Sequence, residues 1–217
     1  MALILFDLDN TLLADDSDYL WGQYLCDLGV VDREDYEIRN QLFYKDYLSG
    51  NMDIHAFLSF ALAPLKQLPL PKLLSLRADF VATQIDSIIA PGAAGLIEKH
   101  RNRGDTLVVI TATNRFITAP IVSKLGIPHL IATEPTIGAT GFDGDYQPPA
   151  CFQAGKLERL SIWLKTYRIK QEGSYAYSDS HNDLALLEWA DFPHAVDPDE
   201  KLKTAAINRK WPVISLR

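Results

Sequence analysis

The chain has 217 residues, of which 47% are hydrophobic and 23% are charged. This is the composition of an ordinary globular protein, and the length suits one α/β domain or one domain with a smaller insert. With 28 acidic and 21 basic side chains the net charge is -7. We therefore expect no nucleic-acid partner, because an acidic surface repels a phosphate backbone. A small phosphorylated molecule in a locally positive pocket is compatible with that charge.

The two cysteines, Cys26 and Cys151, are too few for a disulfide framework and form no C-x-x-C motif. No basic segment precedes the short apolar N-terminus, so we expect no signal peptide. The longest apolar stretches, such as 57–65, are too short to span a membrane. These features predict a cytoplasmic protein without a membrane partner, and they leave open whether it is a monomer or a homodimer.

The first third of the chain predicts one strand followed by helices. Residues 2–6 are apolar without interruption, which is typical of a parallel strand that is buried on both faces. The block 16–88 predicts helices and no strand, with Ser17 as a possible N-cap of the first helix and Asp53 as the N-cap of the third. Pro64 follows the third predicted helix. The predicted helices cover residues 17–28, 33–48 and 53–63, and a last one runs to residue 86.

After residue 92 helices and strands alternate, which is typical of a parallel sheet with helices on both faces. Residues 135–150, rich in Gly and Pro, predict an irregular hairpin or loop. The sequence therefore predicts an α/β core, residues 1–15 and 89–217, that carries a helical insert at 16–88. The predicted strands are 106–110, 129–132, 174–178, 193–196 and 212–215, and the predicted helices are 93–103, 115–124, 153–169, 182–190 and 199–208.

Acidic residues follow two of the predicted strands. Asp7 and Asp9 come after the first strand and, two positions apart, can face the same side. Asp179 comes after the strand 174–178, and Asp183 lies in the first turn of the next helix. Ligands of open α/β sheets bind beyond the carboxyl ends of strands, and oxygen-only ligands suit Mg²⁺. The pattern predicts a metal and catalytic site; the alternatives are a polar strand-end turn and an ordinary helix cap.

Two further positions offer donors to a phosphate. Thr111 comes directly after the predicted strand 106–110, close to the N-terminus of a helix. Lys156 lies near the start of another helix, where its ammonium group can reach an anion. The alternatives are a helix cap at Thr113 or Asn114 and a lysine on a solvated helix face.

A resemblance to the four motifs of the haloacid dehalogenase (HAD) superfamily rests on the segment 7–11, Thr111, Lys156, Asp179 and Asp183. It covers essentially the whole chain. The insert after the first motif resembles the C1 cap of the phosphoserine-phosphatase-like branch, and the motifs are similar to those of subfamily IB, which includes bacterial histidinol-phosphatases and phosphoserine phosphatases. The resemblance implies a HAD-like Rossmannoid parallel sheet with an all-helical cap.

The same resemblance implies a Mg²⁺-dependent phosphatase. Asp7 would be the nucleophile that takes the phosphoryl group, and Asp9 would protonate the leaving alcohol and then activate water. Thr111 and Lys156 would hold the phosphoryl oxygens. The metal site would comprise Asp7, the backbone carbonyl of Asp9, and Asp179, with Asp183 supporting the metal shell.

The sequence departs from the phosphoserine branch at two places. The fourth motif is bulkier than the glycine-rich motif of that branch, and Asp16 stands where that branch has a glutamate for the substrate amine. We expect as substrate a small phosphorylated metabolite, foremost an amino-alcohol phosphate such as histidinol phosphate. Phosphoserine hydrolysis, a phosphotransferase or phosphomutase, and a non-catalytic sensor of phosphorylated ligands stay open. The candidate substrate contacts are Asp16, Asp18, Ala112, Asn114, His181 and Asn182.

Overall fold

The computed structural model describes residues 1–169 and 173–217, and its centre is a seven-stranded sheet. The strands are β1 (Leu3–Phe6), β2 (Thr106–Asn114), β3 (His129–Gly138), β4 (Gly141–Gln147), β5 (Ser174–Ser178), β6 (Phe192–Val196) and β7 (Val213–Ile214). Their spatial order is β4-β3-β2-β1-β5-β6-β7, and every neighbouring pair is parallel except the antiparallel pair β3–β4. The α/β fold predicted from the sequence is confirmed.

The central strand β1 is buried on both faces, which explains its uninterrupted apolar sequence. Ile4 and Phe6 belong to one hydrophobic cluster, whereas Leu3 and Leu5 belong to another on the opposite face. This alternation follows from the two-residue period of a strand. Since helices cover both faces, each side chain of β1 lies in a dry core, and the strand ends at the carboxylate of Asp7.

The helical insert, residues 16–88, follows β1 and contains no strand among its described residues. Asp16 rather than Ser17 is the N-cap of its first helix, because the Asp16 carboxylate accepts bonds from two backbone N–H groups of the first turn. The third helix continues through Pro64, since buried Leu62 and Leu65 keep this stretch packed. The helices are α1 (Ser17–Asp27), α2 (Arg33–Ser49), α3 (Ile54–Gln67) and α4 (Leu70–Phe80), and short helical turns continue to residue 88.

The remaining helices flank the sheet as α5 (Ala93–Arg101), α6 (Arg115–Lys124), α7 (Ala154–Tyr167), α8 (Leu184–Trp189) and α9 (Glu200–Arg209). Two predicted strand boundaries were also wrong. β2 continues to Asn114, so Thr111 lies inside the strand, where the pairing with β3 shifts register, and β3 continues past residue 132 to Gly138. The predicted hairpin or loop at 135–150 contains β4, which forms a hairpin with β3. No helix in the described part of the chain has the length and hydropathy needed to cross a membrane.

Two adjacent chain segments join the insert to the core. Ala14 N donates to the carbonyl of Ile88 (2.6 Å), and Ala90 N donates to the carbonyl of Leu12 (3.0 Å). Leu13 pairs with Ile89 between them. The segment that enters the insert and the segment that leaves it are therefore paired, and the connection to the core consists of two antiparallel backbone segments.

Candidate active site

The carboxyl ends of β1 and β5 bring two carboxylates to one hydroxyl group. Thr11 Oγ1 lies 3.2 Å from Asp7 Oδ2 and 3.0 Å from Asp179 Oδ1. Asp179 N also donates to Thr11 Oγ1 (3.1 Å). Asp7 N donates to the carbonyl of Tyr177 on β5 (2.9 Å), which joins the two strand ends. The arrangement follows from the parallel pairing, because neighbouring strands of this kind end at the same edge.

A buried ammonium group faces two of these acids. Lys156 Nζ lies 2.8 Å from Asp7 Oδ1 and 2.6 Å from Asp183 Oδ2. Ser178 Oγ donates to the same oxygen of Asp183 (2.8 Å). Lys156 is 3% exposed and Asp7 is 8% exposed, so the ion pair lies almost out of water. A lysine buried in this way stays charged only because opposite charges contact it.

Burial and mutual repulsion shift the ionisation of the site. Burial raises the pKa of Asp7 to about 7, against the opposing attraction of Lys156. Burial also raises the pKa of Asp179 well above its ordinary value, and the nearby charges of Asp7 and Asp183 add to that shift. Burial lowers the pKa of Lys156, but Asp183 and Asp7 outweigh this effect and leave it raised. Negative charge accumulates here, and one ammonium group only partly balances it.

The side chain of Asp9 binds the start of α1 and the end of β2. Its carboxylate accepts bonds from Ser17 N and Thr113 Oγ1, both at 2.8 Å. Burial raises its pKa to about 6, and the charge of Asp16 contributes. Asp7 and Asp9 therefore have different hydrogen-bond partners, although both follow the same strand.

The donor chemistry of the site fits Mg²⁺. Among the described residues, no three His, Cys, Asp or Glu side chains are arranged as a metal cluster. The set expected from the sequence needs only two carboxylates, those of Asp7 and Asp179, together with the backbone carbonyl of Asp9. Mg²⁺ takes one or two protein carboxylates and completes its shell with water and phosphate. A cation between Asp7 and Asp179 would also offset the repulsion from Asp7 that adds to the raised pKa of Asp179.

The fourth acid, Asp183, is used differently. One of its oxygens accepts bonds from both Lys156 and Ser178. In this position the carboxylate orients the lysine toward Asp7. From the sequence, Asp183 was expected to support the metal shell. In the structure its carboxylate contacts Lys156.

Thr111 lies buried in β2, and its Oγ1 accepts a bond from Thr113 N (3.2 Å). An accepted bond leaves the hydroxyl proton available for another acceptor. The carbonyl of Ala112 accepts from Thr133 Oγ1 (2.7 Å). Asn114 caps α6 and lies 3.4 Å from Asp18 Oδ1 through its amide nitrogen. The end of β2 thus contacts both Asp9 and the start of α1.

A second group of acids surrounds the N-terminus of α1. Asp16 Oδ1 accepts from Asp18 N (2.9 Å) and Tyr19 N (3.0 Å). Burial raises the pKa of Asp16, and it raises that of Asp18 well above its ordinary value, with repulsion from Asp16 and Asp9 adding to the shift. Asp9, Asp16 and Asp18 thus lie close enough to repel one another, and a cationic group among them would favour their charged forms.

His181 and Asn182 contact protein groups in the structure. His181 Nδ1 lies 2.7 Å from Asp199 Oδ2. The Asn182 amide donates to the carbonyl of Tyr47 in α2 (3.2 Å) and accepts from Gln153 (2.8 Å). Both residues, expected to contact substrate, lie where the insert meets the core.

The sequence analysis assigned no role to several polar groups of the site. Thr11 links two carboxylates, Thr113 holds Asp9, and Ser178 holds Asp183. Thr11 and Thr113 had a sequence signal, because each lies two positions after a predicted site residue, Asp9 or Thr111. Tyr47, whose hydroxyl donates to Ser180 Oγ (2.7 Å), had none, since its partner is 133 positions away.

A parallel sheet with paired acids beyond β1 and β5 and a buried lysine defines a class of hydrolases. The profile described as haloacid dehalogenase-like hydrolase matches residues 4–188, and the chain belongs to this family.

Comparison with individual proteins narrows this class. The chain is 40% identical to the histidinol-phosphatase of Neisseria meningitidis serogroup C (strain 8013), over 99% of both chains. It is 26% identical to a phosphoserine phosphatase of Mycobacterium tuberculosis, over 100% of this chain and 71% of that protein.

Solved structures share the fold. A protein of unknown function from Bordetella pertussis Tohama I superposes with a TM-score of 0.93 at 34% identity, covering 100% of this chain and 99% of that one. A phosphoserine phosphatase in the form of a phospho-aspartyl intermediate analogue superposes with a TM-score of 0.71 at 22% identity, covering 100% and 93%. At that identity the likeness concerns the fold alone.

Proposed function

We propose that this chain is a Mg²⁺-dependent phosphatase that hydrolyses phosphomonoesters of small metabolites through an aspartyl-phosphate on Asp7. One observation carries the proposal: the Asp7 carboxylate lies between the ammonium group of Lys156 and the hydroxyl of Thr11, with Asp179 beside it. A nucleophile for phosphoryl transfer needs this combination of fixed position and nearby positive charge.

The proposed reaction has two displacements. An oxygen of Asp7 attacks phosphorus, a P–O bond forms, and the bond from phosphorus to the leaving alcohol breaks. Asp9 gives the alcohol its proton. Water then attacks the acyl phosphate, Asp9 takes a proton from that water, and inorganic phosphate leaves while Asp7 is regenerated. Asp9 must release Ser17 N or Thr113 Oγ1 to act in these steps.

The groups around Asp7 have distinct proposed roles. The free hydroxyl proton of Thr111 and the ammonium group of Lys156 donate to phosphoryl oxygens, and Asp183 keeps Lys156 in place. Asp7, Asp179 and the carbonyl of Asp9 would hold Mg²⁺. When bound, that ion supplies positive charge to offset the negative charge of the phosphoryl oxygens.

The substrate that fits best is an amino-alcohol phosphate such as histidinol phosphate. The acids Asp9, Asp16 and Asp18 offer negative charge to a substrate ammonium group, and they would repel a substrate carboxylate. Histidinol phosphate has an amine and no carboxylate, whereas phosphoserine has both. The 40% identity to a histidinol-phosphatase over nearly the full length of both chains supports the same choice.

We further propose that the helical insert, 16–88, acts as the cap of this enzyme and that residues 1–15 and 89–217 form its catalytic core. The insert supplies Asp16, Asp18 and Tyr47, all close to the catalytic acids. A cap in this place can exclude water during the reaction and select the substrate.

Phosphate release from a panel of substrates tests the proposed function. The purified protein with Mg²⁺ should hydrolyse histidinol phosphate with a higher kcat/KM than phosphoserine or an aryl phosphate, with the Asp7→Asn variant as background. Preference for phosphoserine would replace the proposed substrate. Transfer of phosphate to added alcohols would indicate a phosphotransferase, and binding without turnover of any substrate would indicate a sensor.

A further inference from the structure

The helical insert contacts the core in two chemically different ways. On one side the contact is apolar: Trp21 and Leu62 belong to the same hydrophobic cluster as Ile4 and Phe6. Trp21 also packs edge-to-face on Phe116 of α6, with ring centroids 6.1 Å apart. Apolar packing of this kind is broad and non-directional, and it anchors α1, α3 and α4 to the core.

The second helix of the insert, α2, packs on the insert itself. Tyr36 stacks on Phe60 of α3 (centroids 5.2 Å apart), and Phe43 packs edge-to-face on Phe57 (5.5 Å). These rings form a hydrophobic cluster separate from the one that anchors Trp21. These rings hold α2 to α3, so the direct contacts between α2 and the core are separate from the apolar anchor.

Those contacts lie at the C-terminal end of α2, where core side chains bind backbone carbonyls. Asn182 donates to the carbonyl of Tyr47 (3.2 Å), and Lys201 Nζ donates to that of Leu48 (2.7 Å). The last carbonyls of a helix have no partner within the helix, and a cation there also complements the helix dipole. The core thus completes the end of an insert helix.

The carbonyl of Gly50 is a third acceptor, 3.4 Å from the amide nitrogen of Gln153. Gln153 Nε2 also donates to Asn182 Oδ1 (2.8 Å), which connects the donors to one another. Gly50 ends α2 with a φ of 82°, and a Cβ there would lie 3.2 Å from His181 Nε2. Glycine therefore permits both the left-handed turn and the close approach to the segment that follows Asp179.

We propose that Gln153, Asn182 and Lys201 form a latch that holds the helical insert closed over the site by binding the carbonyl end of α2. The latch goes beyond the proposed function, and only the kinetic part of its test depends on that function. Opening of the latch breaks these hydrogen bonds, whose groups water can satisfy, together with the contacts of Tyr47 with Ser180 and Phe152. It leaves the apolar anchor on α6 intact.

The burial of the site shows why a latch matters. Asp7 is 8% exposed and Lys156 is 3% exposed, so a phosphorylated molecule has little access to them while the insert is closed. The latch residue Gln153 lies three positions before Lys156, and Asn182 lies three positions after Asp179. The hydroxyl of Tyr47 binds Ser180, between Asp179 and Asn182. Release of α2 therefore uncovers the segment that carries the acids.

Lys201 is the best residue for a test, because it is exposed and its ammonium group binds the carbonyl of Leu48. Lys201→Met removes the donor and keeps the chain length, and Lys201→Arg restores a donor. Lys203→Met is the matched control, since Lys203 is exposed on the same helix and its ammonium lies 3.9 Å from Glu200. All three substitutions replace solvent-exposed side chains, so the fold should be retained.

The distance between insert and core is the direct readout. Nitroxide labels at Leu42→Cys on α2 and Thr204→Cys on α9 would report it, because the native Cys26 and Cys151 are buried. In Lys201→Met the population at a longer distance should rise about fivefold, the factor expected for the loss of one exposed hydrogen bond. Lys201→Arg and Lys203→Met should keep the wild-type distribution. No change in Lys201→Met, or an equal change in Lys203→Met, would overturn the latch.

Binding kinetics of orthovanadate, a phosphate analogue, give an independent readout. If the latch gates entry, the association and dissociation rate constants should both rise about fivefold in Lys201→Met, with little change in Kd. A changed Kd with an unchanged association rate would contradict gating. Absence of binding to every variant would count against the proposed function, and the label distances would still decide the latch.

Discussion

The site contains two groups of three carboxylates that differ in what offsets their charge. Of the inner acids, Asp7 and Asp183 contact the ammonium group of Lys156, and Asp179 shares the hydroxyl of Thr11 with Asp7. The outer acids, Asp9, Asp16 and Asp18, lie at the N-terminus of α1. Asp9 and Asp16 accept bonds from backbone N–H groups, Asp9 also accepts from the Thr113 hydroxyl, and Asp18 accepts from the Asn114 amide. The inner group contacts the full positive charge of an ammonium group, whereas the outer group contacts only the partial charges of neutral donors.

This difference separates two tasks within one site. We infer that the ammonium group attracts the phosphate and that the carboxylates attract its metal ion. Both attractions are strong where water is excluded. Dipoles at a helix end offset a carboxylate only partly, so we expect a cationic group to bind among the outer acids and to favour their charged forms. We therefore expect changes to the inner acids to affect every substrate and changes to the outer acids to affect only amino substrates.

The largest expected effect is that of Asp7→Asn. Because the amide cannot form an acyl phosphate, kcat should fall by at least about 1,000-fold for histidinol phosphate and for an aryl phosphate alike. Phosphate release and far-UV circular dichroism would be measured together, so that loss of fold is distinguished from loss of chemistry. Turnover near the wild-type rate would remove Asp7 from its proposed role.

Removal of the metal should have the next largest effect. Treatment with EDTA should lower turnover of both substrates by about 100-fold or more, and added Mg²⁺ should restore it. The loss should be the same for amino and aryl substrates, since the inner acids serve the phosphate that both share. A protein that hydrolyses either substrate equally well after exhaustive chelation would contradict the assignment of Asp179 as a metal ligand.

The outer acids should show the smaller and more selective effect. With Asp18→Asn, KM for histidinol phosphate should rise about tenfold, the loss of one partly buried charge pair, while KM for an aryl phosphate should stay within about twofold. Asp15→Asn is the matched control, because Asp15 is an exposed acid beside Asp16. Equal effects of Asp18→Asn on both substrates would refute a role in amine recognition.

The Tm of Asp18→Asn should be measured together with its KM. Burial raises the pKa of Asp18, so its charged form is disfavoured in the folded protein. Neutralisation of this side chain should therefore leave the Tm unchanged or higher. A lower Tm would mean that the kinetic change reports a damaged insert.

Much of the fold followed from local pattern. The apolar run of β1 and the alternation after residue 92 predicted a parallel sheet, and helices were predicted correctly through the insert. Where a prediction was wrong, tertiary packing was the cause: α3 continues through Pro64 against a buried face, and β2 continues past residue 110 beside β3. Local propensity has no information about the neighbouring element that stabilises such an extension.

The sequence by itself determined that Asp7 and Asp179 come to one edge of the sheet, because each directly follows a buried strand and parallel strands end together. The tertiary structure alone decided which partner each side chain meets: Asp9 faces Thr113, and Asn182 holds the end of α2. A strand end is a local property, recorded in consecutive residues. A hydrogen bond between groups more than 100 positions apart depends on how whole elements pack, and no short stretch of sequence contains that information.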